Sequence, residues 1–488
     1  MSLKKYFALG TATSILALTI GLSSCSLIGV NGNAYVTSVE MTDTTDDKQI
    51  FTVYYSDGTS TEFSVGKGAD GKDGKDGKDA TVEEAYEKYV EEYGDISYAD
   101  FLSKYLNISA DGNAKAIAGC LQSSAKIYTE FKTTTLTRTG GFFGGYQSTP
   151  SKSIYTGSSV IYQVDADYTY LITNYHLVYD SNANDDNGSK IASAIYCYLY
   201  GSEGMPEATN QTDANNYPVY SYGEYAVACE YVGGSITSDI AVLRAKTDDL
   251  KAVNENIKAV TLADGYYVGE TAIAVGNPEG EGISVTEGIV SVDNENITLA
   301  IDGTTRAYRS LRMDTAIYNG SSGGGLFNAS GELIGITNAG DNTDQNINYA
   351  IPLPIVKGTV ENIMYYYRDN DTSTNGAYKI TLGVNYTTKN SKYVYDASAG
   401  YGEVREDILV TNVTNNSIGA QLGLKTNDQL ISFLVGDEEY DISRSFDVTD
   451  VLLNVRAGDK ISFVIERDGE RVTTSSYTVT KADLAALA

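Results

Sequence analysis

Alternation of apolar and polar positions, the period of a half-buried strand, recurs through the chain. Tyr168-Thr169-Tyr170-Leu171 shows it, and Asp239 opens the apolar run Ile240-Ala241-Val242-Leu243, which reads as a buried strand. Near the start, Ala34 to Val39 and Gln49 to Tyr55 read as strands, and Ser56-Asp57-Gly58-Thr59 supplies a turn before Glu62-Phe63-Ser64-Val65. Residues 26–66 therefore read as a small β unit. The period then lengthens to that of a helix. Thr81 with Glu84 is a capping box, and Val82, Ala85, Tyr86, Tyr89, Val90 and Tyr93 fall on one helical face. Ser97 with Asp100 caps a second helix, so 81–107 reads as a helical pair whose tyrosines pack together as a stalk. Between unit and stalk, at 67–80, the triplets Gly-Ala-Asp and Gly-Lys-Asp repeat with the period of collagen. Four triplets without proline are too few for a triple helix, which leaves a charged spacer.

One apolar run is long. It extends from Tyr6 to Leu22, follows Lys4 and Lys5, and ends in Ser23-Ser24-Cys25, the layout of a secretory signal over 1–25. Leu22-Ser23-Ser24-Cys25 also resembles the bacterial lipobox, which implies acylation of Cys25 and a lipid anchor in the membrane. Length and composition add limits. The 488 residues give room for about three domains. A net charge of −29 excludes a nucleic-acid partner, since a phosphate backbone needs a basic face. Three cysteines remain besides Cys25, an odd number; Cys197 and Cys229 read as lying on neighbouring strands, either disulfide-linked or as buried free thiols. With one histidine in the chain there is no ligand set for a metal, and no cofactor is expected.

The candidate chemistry gathers in three segments. Gly320-Ser321-Ser322-Gly323-Gly324-Gly325-Leu326 places a serine on a turn that glycines leave open to a substrate. There the N–H groups of Gly320 and Ser322 would face the oxyanion formed when the Ser322 hydroxyl attacks a carbonyl. A hydroxyl needs a base, and the single histidine, His176, follows a strand in Thr173-Asn174-Tyr175-His176. A carboxylate must orient that base, and Asp239 stands at the mouth of its apolar run.

Thr173 to Val178, Asp239 to Leu243, Gly276-Asn277-Pro278-Glu279-Gly280, Val285 to Ser291 and Asp314 to Leu326 together resemble, in order, the motifs of trypsin-like serine proteases of the HtrA/Deg branch. That resemblance implies a mainly β fold. It comprises a trypsin-like double β-barrel over 113–367, a linker over 368–377 and a PDZ domain over 378–482, preceded by the β unit, spacer and helical pair. It implies His176, Asp239 and Ser322 as the catalytic triad and the amides of Gly320 and Ser322 as the oxyanion hole. The primary specificity pocket would have Ala316 at its floor and Asn338, Ala339 and Gly340 on its wall, favouring cleavage after apolar residues unless Asp341 folds inward. Leu382-Gly383-Val384 would form the PDZ carboxylate loop, binding peptide C-termini by strand addition. The aromatic, glycine-rich Gly140 to Gly145 resembles the stretch through which relatives form homotrimers, although an exposed loop fits it equally. Departures are also present: Ser321 stands where the family has Asn or Asp, Tyr318-Asn319 replace Asn-Pro, and Gly325 replaces Pro or Ala, all of which loosen the oxyanion turn. The expected function is an extracytoplasmic, lipid-anchored serine endopeptidase of the cell envelope acting on unfolded polypeptides. The alternative is a degenerate protease body serving as a surface chaperone or scaffold through its PDZ domain.

Overall fold

The computed structural model describes residues 36–44, 48–55, 60–66, 90, 112–138, 145–184, 188–340, 346–369, 376–396 and 401–487. Within the N-terminal unit, strands Val36–Thr44, Lys48–Tyr55 and Ser60–Gly66 form an antiparallel three-stranded sheet in sequence order. The signal segment, the spacer and, apart from Val90, the helical pair lie outside the described residues.

The second compact unit covers residues 96–488. Among its described residues, the first elements are the helix Gly112–Leu121 and a closed barrel. Around that barrel run Val227–Ser235, Ile240–Lys246, Tyr168–Thr173, Tyr146–Val164, Ser124–Arg138 and Ala194–Leu199. Its interior is lined by Ile127, Ile161, Leu171 and Leu243, all without solvent exposure, and by their buried neighbours. A second ring follows: Thr271–Gly276, Ser284–Ala300, Thr305–Met313, Asn348–Pro352, Glu332–Gly340 and Gly325–Phe327, closed by pairing of the last two with their neighbours. The core between the rings includes Ile172, Val275, Phe327 and Ile336, together with Val356, Val360 and Ile363 of the helix Leu353–Asp369. Outside the two rings, the strand Glu207–Thr212 pairs with Pro218–Ser221.

Beyond that helix, Val384–Asp396, Tyr401–Val413, Gln429–Val435, Lys460–Arg467 and Glu470–Thr473 form a sheet with its own core around Phe433 and Phe463. Ser417 caps the helix Ile418–Leu422 by accepting Ala420 N–H, and Gly423 ends it at φ 81°. The last strand, Leu484–Ala486, returns to pair with Tyr378–Ile380, so this domain closes past residue 482. Asn362, fully buried in the long helix, joins the two domains: its Nδ2 donates to the carbonyls of Tyr378 and Leu453, and its Oδ1 accepts Tyr378 N–H. Ion pairs Arg309–Asp450 and Arg444–Asp293 add to the joint.

Of the alternatives for the cysteines, the structure takes free thiols: Cys120, Cys197 and Cys229 are all buried and unlinked. In the strand register Cys197 faces Val227 and Cys229 faces Ile195, so the two are diagonal. A hydrogen bond to Cys197, burial and the Cys197 charge raise the Cys229 pKa well above that of a free thiol, and burial raises that of Cys120 to about 11.

Candidate active site

The histidine sits where the strand Tyr168–Thr173 ends. Asn174 breaks the ladder and Tyr175–Leu177 makes one turn of 3₁₀-helix, which swings the imidazole out with its side chain 30% exposed. Asp239, wholly buried, is held in the left-handed region at φ 52°, a conformation that a non-glycine residue keeps only when its neighbours fix it. They do: its carbonyl accepts Asn174 Nδ2 at 3.0 Å and Tyr175 N–H at 3.1 Å. Its carboxylate then reaches His176 twice, through Oδ1 to the backbone N–H at 2.9 Å and through Oδ2 to Nδ1 at 2.8 Å. The second contact fixes the tautomer with the proton on Nδ1 and leaves Nε2 as the acceptor. Burial lowers the histidine pKa, but the charge of Asp239 and its hydrogen bond outweigh that, and the net shift is upward.

The serine turn is built differently. Gly320 and Gly323 take φ 95° and 84°, and a Cβ on Gly320 would lie 2.3 Å from the Asn277 carbonyl oxygen. Ser158 clamps both ends: its N–H donates to Ser322 O and its hydroxyl donates to Gly320 O, both at 2.8 Å, while the same hydroxyl accepts Asn277 N–H. Thr337 Oγ1 adds contacts to the carbonyls of Ser321 and Gly324. Asn319 O accepts Glu279 N–H at 2.6 Å; across a trans peptide the Gly320 N–H then points the other way. Among the described residues neither Gly320 N–H nor Ser322 N–H has an acceptor, so both remain available to an anion. The Ser322 hydroxyl donates to Asn338 O at 3.1 Å rather than to His176 and must turn about χ1 before it can hand over its proton. Ser321, buried, accepts Tyr318 N–H at 3.3 Å; neither serine hydroxyl is hydrogen-bonded to His176.

Not every expected residue falls in one place. Ala316 lines an apolar cavity of about 240 Å³ with Ile317, Ser321 and Thr337, whereas Asn338 lines a cavity of about 410 Å³ beside His176, Tyr179 and Asp180. A Cβ on Gly340 would meet Ile317 at 3.7 Å, which brings the far end of the expected wall back to the floor. Asp341 lies outside the described residues. In the C-terminal domain, Gly383 takes φ 69°, and the carbonyls of Leu382 and Gly383 accept Gly419 and Thr414 N–H at 2.8 Å. The N–H groups of Leu382 and Gly383 have no acceptor among the described residues. Ser158 and Thr337 were not singled out in the sequence; the small-residue break Gly157-Ser158-Ser159 within a long strand was the available signal.

The chain resembles known proteins. The family model described as a trypsin-like peptidase domain matches residues 157–336. A serine protease Do-like HtrA of Lactococcus lactis is 26% identical over 80% of this chain and 89% of its own length. The periplasmic serine endoprotease DegP of Salmonella typhimurium is 30% identical over 69% of this chain and 59% of its own. A solved HtrA-type protease, AlgW with a decapeptide, aligns with 75% of this chain and 98% of its own at 23% identity and a TM-score of 0.43. The chain is a serine endopeptidase with a trypsin-like, mainly β fold. Within that class, its sequence relatives include HtrA- and Deg-type serine proteases.

Proposed function

We propose that the chain is a lipid-anchored, extracytoplasmic endopeptidase that cleaves unfolded or misfolded polypeptides, with His176, Asp239 and Ser322 as its triad. The observation that carries the assignment is the doubly bonded His176–Asp239 pair together with a serine turn that has two amides unclaimed among the described residues and a hydroxyl bound to Asn338, which lines the same cavity as His176. In this reading the Ser322 hydroxyl leaves Asn338 O, gives its proton to His176 Nε2 and attacks the scissile carbonyl. The oxyanion takes up the Gly320 and Ser322 N–H groups, and His176 returns the proton to the leaving amine. Asp239 stabilises the imidazolium and keeps its own charge.

Cys25 would carry the lipid, and the C-terminal domain would act as a PDZ module taking peptide C-termini at Leu382-Gly383-Val384, where the two free amides are suited to a carboxylate. Extracytoplasmic placement follows the reading of residues 1–25 and the description of DegP as periplasmic. No helix among the described residues is long and apolar enough to cross a membrane. Labelling by a fluorophosphonate tests the core of the proposal. Wild-type protein should be labelled at Ser322 and hydrolyse unfolded casein, and unlabelled, inactive wild-type protein would leave the degenerate scaffold standing.

A further inference from the structure

We propose that Lys126, on the first barrel, is a positioning residue for the oxyanion turn on the second; the proposal rests on the active-site reading above. Lys126 is 2% exposed, and its ammonium donates to one acceptor, the Gly280 carbonyl, at 2.7 Å. No carboxylate among the described residues pairs with it, and its remaining support is the Tyr128 ring, whose centroid lies 4.9 Å away. Burying a charge on such terms is costly, so a lysine that served only to fill space would be better replaced by an apolar side chain of the same length.

Its placement says what the charge holds. Lys126 is directly opposite Ser158 in the barrel, so the two side chains leave the same face of the sheet. Both cross to the second barrel. Ser158 binds Gly320 and Asn277, while Lys126 binds Gly280, three residues beyond Asn277. Between these anchors lies Glu279, at φ 55°, whose N–H fixes the Asn319 carbonyl and hence the direction of Gly320 N–H. The turn is closed within itself by Gly280 N–H to Asn277 O at 3.2 Å and Gly282 N–H to Asn277 Oδ1 at 2.8 Å. Without the ammonium, the Gly280 carbonyl is released. Glu279 is then free to leave its left-handed conformation, the Asn319 carbonyl loses its donor, and Gly320 N–H is no longer aimed. Lys126 thereby supplies from outside the rigidity that Ser321, Asn319 and Gly325 withhold from the serine loop itself.

The test is Lys126→Met in the full chain, which keeps the stem and removes the donor. Expected results are a fall in kcat of about tenfold or more with KM within about twofold, and an equal loss of affinity for a peptide aldehyde, whose hemiacetal with Ser322 needs the hole. Binding of the uncleaved peptide to Ser322→Ala should not change when Lys126→Met is added. A kcat within about twofold of wild type overturns the proposal. So does a rise in KM with unchanged aldehyde affinity relative to peptide, which would make the residue a packing element. Should Lys126→Met not accumulate as folded protein, Lys126→Leu, which also lacks the donor, is read by the same two ratios. Hydrolysis by wild type that survives Ser322→Ala would instead fault the nucleophile assignment.

Discussion

The two halves of the site are held by opposite means. On the first barrel, the base and its orienting acid are locked by a fully buried carboxylate that spends both oxygens on one residue, His176. On the second, the serine turn itself carries no charge: left-handed glycines and neutral bonds from Ser158 and Thr337 shape it directly, and the one charge proposed to support it, the Lys126 ammonium, acts at a remove through the Gly280 carbonyl. The difference teaches where each half is vulnerable. The charged half fails by chemistry, through a wrong proton, whereas the glycine half fails by geometry, through a misaimed amide.

Exchanging the reacting groups tests the division most strongly. Ser322→Ala and His176→Ala should each lower peptide hydrolysis by several orders of magnitude, because the groups act as a unit, while Ser321→Ala should be far milder. Equal losses for Ser321→Ala and Ser322→Ala would put the nucleophile in the wrong register. Next, Asp239→Asn keeps the shape and spoils the tautomer, and a loss on the order of 10⁴ in kcat is expected with the protein still folded. If it kept most of its activity, the charged half would not be chemical in character.

Gly320→Ala attacks the other half by geometry alone. The new methyl would strike the Asn277 carbonyl at a φ that L-residues avoid, so a fall of about 10² in kcat is expected from a disturbed hole, with a smaller one for Ser158→Ala. Crystallography of the alanine variant should find the turn moved and the His176–Asp239 pair unmoved. The smallest effect is on pH dependence. The base must be neutral to accept the serine proton, and Asp239 raises its pKa, so the acid limb of kcat/KM should have its inflection above the ordinary histidine value. An inflection below it would mean that burial dominates. The same shift stabilises the fold below the unfolded-state pKa, a contribution lost as pH rises through the folded one.

The proposed triad residues, His176, Asp239 and Ser322, stood out in the sequence because such a reaction tolerates few residue types and each stands beside a strand or a glycine turn that local pattern reveals; of their mutual contacts the structure shows the His176–Asp239 pair. The strand Tyr168–Thr173 was legible as a strand but not as half-buried: Thr169 to Thr173 are all buried, because the barrel interior covers Leu171 and the core between the rings covers Tyr170 and Ile172. Lys126 was not legible: it lies in a strand whose first eight residues are all buried, and only the register opposite Ser158 gives its ammonium a target more than a hundred residues away. Nor was the division of the expected pocket, because Ala316 and Asn338 lie on separate segments whose relative placement depends on how the second ring closes. A cross-strand disulfide could be neither chosen nor refused without that register, which sets Cys197 and Cys229 on a diagonal.

Asn362 has a consequence for local opening. One amide side chain ties the long helix to Tyr378 at the entrance of the C-terminal domain and to Leu453, which follows the short helix Asp447–Val451. None of the three can fray without stranding a buried polar group, so they should open as one cooperative unit. In hydrogen–deuterium exchange, the amide of Tyr378 should share the protection of the helix Leu353–Asp369, and Asn362→Leu should split that shared rate into two.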